Sequence, residues 1–261
     1  MTTRTVFATA ADLGATLATE IADGIAAAAS AGRRYVLGCP GGRSPRPVYQ
    51  ALAAEIARRK LDLSHLVIVM MDEYVVQRDG EYRNVDPAEA YSVVRFGVDE
   101  IVTPLAAAGT GTPELWTPDA RDPGRHEERI AAAGIDLFIL ASGSGDGHVA
   151  FNTPGTPLDA RCRVVPLPES TRKDNVRTHP DFGTPDAVPP FGVTVGTATI
   201  ADYSARAVMV AHGPEKRTAA ARLTALTDYD PQWPASIVHR CRQAALYFDE
   251  AATADEPDAG E

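Results

Sequence analysis

Three stretches of this chain are apolar almost without interruption rather than at alternate positions: LVIVMM at 66–71, IDLFILA at 135–141 and ARAVMVA at 205–211. A strand with one wetted face alternates apolar and polar side chains, so an unbroken run marks a strand covered on both sides. Segments of helical spacing lie between these runs. That alternation predicts an α/β fold with a mainly parallel sheet and helices on both of its faces.

The remaining elements fit around this frame. Residues 9–30 read as an Ala-rich helix, with Leu13, Leu17, Ile21 and Ile25 four apart and Gly32 as its stop. Residues 34–38 predict a short buried strand, followed by the loop CPGGRSP and a helix over 48–59. Further helices are expected over 86–97, 122–133 and 212–226, and strands over 163–167 and 244–249, while 191–200 mixes strand propensity with glycines. Residues 168–190 are polar and Pro-rich, too long for an ordinary connection, and predict a lid or binding segment. Residues 1–250 are read as one domain. The acidic stretch 251–261 has little to bury and is expected to be disordered.

Charge and cysteine usage narrow the function. The formal net charge is −10 and no Lys/Arg-rich run occurs, which argues against a nucleic-acid or polybasic membrane binder. A few placed cations and backbone amides can still hold a small anion. No span of about 18 apolar residues is present. The start MTTRTVFATAADL lacks the basic-then-apolar layout of a signal peptide. Cys39, Cys162 and Cys241 are odd in number and widely spaced, as expected of reduced thiols in a cytoplasmic protein.

Ligands of open α/β sheets bind at the carboxyl ends of the strands, and the candidate residues gather at such ends. Gly41, Gly42, Arg43 and Ser44 follow the strand at 34–38. They can cradle a phosphate on exposed amides at a helix start, or form a simple turn in which Ser44 caps the helix before Pro45. Asp72 and Glu73 follow LVIVMM, where a partly desolvated carboxylate can act as a general base or be a surface acid opening a loop. GSGDGHVAFNTPG at 143–155 has Gly143 and Gly145 in GxGxxG spacing, but His148 stands where the third glycine belongs. Pro154 forbids a continuing helix, so a dinucleotide site is not expected. Asp146 and His148 instead suggest an acid orienting an imidazole. Arg172 and Lys216 are candidate phosphate cations or solvated surface residues. The other histidines show no ligand spacing, and no metal is expected.

MDEY, the GxGDGHxAFNxPG segment, Thr171-Arg172 and Lys216 together resemble the glucosamine-6-phosphate deaminase/isomerase family, which shares its fold with 6-phosphogluconolactonases. The resemblance runs from about residue 30 to 249 with the motifs in family order. It implies a modified Rossmann-like three-layer fold, a sugar-phosphate substrate and no cofactor. Gly42, Arg43, Ser44, Arg172 and Lys216 would hold the phosphate. Gly41, Gly145, Gly147, Asn152 and Thr153 would complete the substrate pocket. His148, helped by Asp146, would open the pyranose ring, and Asp72 would move a proton from C2 to C1 as ammonia leaves C2 by hydrolysis. Two departures stand out. Thr153 occupies a position where the family deaminases carry a Glu, and Arg43 replaces a small residue in the phosphate loop. A 6-phosphogluconolactonase using His148 to activate water, and a non-catalytic sugar-phosphate sensor, are the alternatives. A monomer and a homo-oligomer both fit the sequence.

Overall fold

The computed structural model describes residues 2–254. Its elements run β1 (Thr3–Phe7), α1 (Ala10–Ser30), β2 (Tyr35–Cys39), α2 (Arg46–Arg59), β3 (Leu66–Met70), β4 (Asp72–Arg78) and β5 (Glu81–Asn84). They continue with α3 (Val93–Phe96), α4 (Thr103–Ala108), β6 (Glu114–Trp116), α5 (Pro123–Ala133), β7 (Leu137–Ala141), β8 (Arg163–Pro166) and α6 (Glu169–Thr178). β9 (Phe191–Thr194), α7 (Thr197–Tyr203), β10 (Ala207–Ala211), α8 (Arg217–Ala225), β11 (Ala245–Asp249) and α9 (Glu250–Thr253) complete the chain.

Seven strands form one parallel sheet in the order β1-β11-β10-β7-β2-β3-β6. The reason the strands are apolar throughout is visible in where successive side chains go. Leu37, Ile68 and Met70 pack with Leu13, Leu17 and Leu52 of α1 and α2. Val36, Val67 and Val69 point the other way, toward Ile130 of α5, Ile200 of α7 and Leu223 of α8. The three-layer α/β reading is therefore what the chain adopts. No helix among the described residues is long and apolar enough to cross a membrane.

A second sheet, not expected from the sequence, is antiparallel with the order β5-β4-β9-β8. The chain passes from β3 straight into β4 across Met71, so Asp72 opens a new strand instead of a loop. The helix expected over 86–97 starts only at Val93 and runs on through a π-helical segment, Gly97–Val102, into α4. The polar segment 168–190 is also more ordered than expected. It contains α6 and two 3₁₀ turns, Pro180–Phe182 and Pro185–Ala187. Ion pairs Lys173–Glu169 and Arg177–Asp174 run along α6. Phe182 docks the segment on the rings of Tyr91 and Tyr74, with centroids 4.5 and 6.0 Å away. At the carboxyl end, Asp249 caps α9 by accepting from Ala252 N. Residues 255–261 of the expected acidic tail lie outside the described residues.

Candidate active site

The carboxyl ends of β2, β3, β7 and β10 meet at one edge of the main sheet, and α6 closes its side. Between them lies an open cleft bordered by Ser44, Asp72, His148 and Lys216.

Asp72 lines this cleft with its backbone fixed by pairing to Thr194 of β9, and it is 8% exposed. Burial, reinforced by the neighbouring Glu73 charge and opposed by His148, pushes its carboxyl up to about 7. Such a group exchanges a proton readily near neutral pH. Glu73 has a different role. It accepts from Tyr74 N (2.6 Å), Ser92 Oγ (2.7 Å), Val94 N (2.8 Å) and Val93 N (3.0 Å), and so caps α3. Burial raises its pKa, while these bonds favour the charged form.

In the loop after β7, His148 Nδ1 lies 2.7 Å from Asp146 Oδ1, and His148 N donates to the same oxygen at 3.2 Å. Thr171 and Ser170 of α6 donate their hydroxyls to Asp146 Oδ2 at 3.0 and 3.3 Å. Burial works against the Asp146 charge, but the His148 contacts and the Thr171 hydroxyl more than offset it and hold the carboxyl well below the usual range. The ionised Asp146 therefore keeps the proton of a neutral imidazole on Nδ1 and leaves Nε2 as the reactive nitrogen. Gly143 makes this close turn feasible, since a Cβ there would stand 2.2 Å from His148 Nδ1. Gly147, at φ +65°, is required by packing, because a Cβ would meet the Trp233 ring at 2.2 Å.

Gly41, Gly42, Arg43 and Ser44 follow β2, which lies between β7 and β3, and line the cleft as well. α2 begins at Arg46 behind Pro45 without a side-chain cap, so the Ser44 hydroxyl is not used as one. Lys216 ends a 3₁₀ turn ahead of α8 and donates to Ser142 O at 2.6 Å. Burial lowers its pKa, partly opposed by Asp174.

Other expected residues are placed elsewhere. Arg172 does not line the cleft; its Nη1 donates to Pro185 O at 3.1 Å and faces Asp186 at 3.4 Å. Asn152 is buried, donating to Val149 O and Val195 O and accepting from Arg163, which closes the loop. The Thr153 carbonyl accepts from Thr156 N and Oγ1 in a turn, and its side chain does not border the cleft. Gly145 borders an outer shelf shared with Arg43 and Arg177.

Sequence reasoning missed the contribution of α6. Asp174, Asn175 and Thr178 line the cleft, followed by His179, and the Asn175 amide nitrogen is buried with no partner among the described residues. The available signal was a polar stripe, since positions 171, 174, 175 and 178 share one helix face. Burial, helped by Arg46, lowers the His179 pKa. His65, His126, His212 and His239 each bond a backbone carbonyl and are structural. Among the described residues, one group of three metal-type ligands lies close together, Asp146, His148 and Asp174. Asp146 and His148 are already engaged with each other, and no metal is assigned there.

Residues 8–247 match the family described as glucosamine-6-phosphate isomerases/6-phosphogluconolactonase. Similar proteins include the glucosamine-6-phosphate deaminases of Bacillus cytotoxicus (33% identical, spanning 83% of this chain and 76% of the relative) and Beutenbergia cavernae (35% identical, 89% and 85%). A solved structure described as a monomeric glucosamine-6-phosphate deaminase, missing link of the NagB superfamily, superposes with a TM-score of 0.79 at 25% identity, covering 96% of this chain and 98% of that one. A 6-phosphogluconolactonase from Shewanella baltica shares the fold at a TM-score of 0.67 and 18% identity, over 95% and 98% of the two chains. On this match the chain belongs to the glucosamine-6-phosphate isomerase/6-phosphogluconolactonase family of enzymes.

Proposed function

We propose that this protein is a deaminase/isomerase of a 2-amino-2-deoxyhexose 6-phosphate, with glucosamine 6-phosphate the first candidate. The observation that carries the reading is Asp72, a nearly buried carboxyl poised near neutrality in the same cleft as the Asp146-oriented His148 imidazole. Removing a proton next to a carbonyl and returning it to the adjacent carbon requires one carboxylate held over both atoms, and Asp72 sits on a strand that fixes it. His148 Nε2 takes the proton of the anomeric hydroxyl and returns it to the ring oxygen, which opens the pyranose. Asp72 then takes the C2 proton and delivers it to C1, while the C1 oxygen takes up a proton released by the substrate's own ammonium as that becomes the C2 imine. The resulting C2 imine adds water and expels ammonia, leaving a ketose phosphate. Lys216, Ser44 and the backbone of residues 41–44, which all line the cleft, hold the phosphate.

The deaminase names of the relatives support this reading over lactone hydrolysis, which the same His148–Asp146 pair could serve by activating water. Purified protein should release one ammonia per ketose phosphate formed from glucosamine 6-phosphate. Opening of 6-phosphogluconolactone with no ammonia from any 2-amino-2-deoxyhexose 6-phosphate would overturn it in favour of the lactonase. Thermal stabilisation by hexose phosphates without any turnover would leave a sensor.

A further inference from the structure

His148 cannot work as a proton carrier on Asp146 alone without cost. When the imidazole is cationic, its charge must be balanced in a half-buried loop, and Asp146 is already shared among His148, Thr171 and Ser170. Thr153, nearby in sequence, offers no charge and does not border the cleft.

The groups around the imidazole come from four elements. Asp146 stands on its own loop, Asp72 opens β4, Lys216 follows β10, and Asp174 is on α6. A carboxylate oxygen of Asp174 lies within 4.8 Å of both a His148 ring nitrogen and an Asp146 oxygen. Its side chain is 18% exposed and fixed on both oxygens, Oδ2 by Ser144 N at 3.2 Å and Oδ1 by Arg177 at 3.0 Å. A carboxylate held this way keeps its distance from the imidazole without spending its charge on a buried partner, since Arg177 is largely in solvent. Asp72 is less suited to balance the imidazolium, because its burial favours the protonated, uncharged form.

We propose that Asp174 is a positioning residue, the second carboxylate that stabilises the cationic form of His148, and that α6 thereby completes the proton-transfer site from outside the loop that carries His148. The inference rests on the assignment of His148 as the proton carrier, and it gives a specific role to a segment whose sequence predicts only a lid or binding segment. The same helix holds Asp146 through Thr171 and Ser170, so docking of α6 sets both acids at once. The competing role for Asp174 is to balance Lys216, whose charge it also favours.

Histidine-labelled protein, with the His148 resonance identified by its loss in His148→Asn, separates these roles. In Asp174→Asn the His148 ring should lose its proton about one pH unit lower than in the wild type, the expected effect of removing an opposite charge at this range. Asp174→Glu should restore most of that difference. Turnover should fall by about tenfold in Asp174→Asn with KM little changed, and inorganic phosphate should bind as well or more tightly. An unchanged His148 titration in a folded Asp174→Asn protein overturns the proposal, as does weaker inorganic phosphate binding that accounts for the whole loss. The titration needs no substrate, so it decides the role of Asp174 even if amino-sugar phosphates are not turned over.

Discussion

Replacing Asp72 by Asn should make this protein more stable at alkaline pH while removing its activity. In the unfolded chain the carboxyl ionises near 3.8, whereas in the cleft it does so only near 7. Between those values the folded protein binds the extra proton, so stability falls as pH rises from about 4 to about 7 and stays lowered above that. The full difference corresponds to about 4 kcal/mol, and relaxation around an open cleft brings the expected gain to about 2–4 kcal/mol at pH 8. Asn has nearly the same shape, and no side-chain hydrogen bond of Asp72 is present to be lost among the described residues. Urea unfolding of both proteins at pH 5, 6, 7 and 8 reads the effect as a difference that grows with pH at constant slope. A difference independent of pH, or an Asn variant less stable at pH 8, would show that burial of the Asp72 charge is not what perturbs it.

The same ionisation should shape turnover: kcat/KM rises with pH through about 7 as Asp72 becomes a base, and Asp72→Asn loses about a hundredfold or more at every pH. A wild-type profile flat from pH 6 to 8 would exclude Asp72 as the base. Lys216→Ala should weaken phosphorylated substrates by about 10–100-fold relative to unphosphorylated analogues, the value of a charge-assisted bond. Arg172→Ala, whose guanidinium is turned to Pro185 and Asp186, should cost far less, and equal losses in KM would place Arg172 in the bound complex. Glu73→Gln should destabilise by about 2–3 kcal/mol in urea, because an amide cannot accept all four bonds that cap α3.

What the sequence displayed best was whatever apolar burial dictates. LVIVMM, IDLFILA and ARAVMVA became β3, β7 and β10 because each sends side chains into two cores, and the helix over 9–30 formed almost to its expected bounds. The second sheet escaped notice for the opposite reason: β5 is mostly exposed and carries no hydrophobic signature, and although a strand over 163–167 was legible as β8, it is only half-buried, so nothing in its pattern showed an antiparallel partner. α6 was illegible as a helix since its inward face is Thr171, Asp174, Asn175 and Thr178, polar because it borders a cleft. The loops after the strands were readable as site loops from their glycines and titratable residues. Arg172 and Asn152, read as pocket residues, are used instead to hold the α6 segment and to close the His148 loop.

The pair Asp72-Glu73 shows why residue type and depth of burial do not by themselves assign chemistry. Both carboxyls are nearly inaccessible, and burial is the leading influence on both. Glu73 receives three backbone amides and a hydroxyl, so its charge is solvated by the protein and its geometry is locked to α3. Asp72, one residue earlier on the opposite face of β4, has no such donors and must resolve its burial by holding a proton. The strand's alternation sends one acid to a helix start and the other to the cleft. A general base needs the poorly solvated carboxyl, because only that one gains by exchanging protons with a ligand.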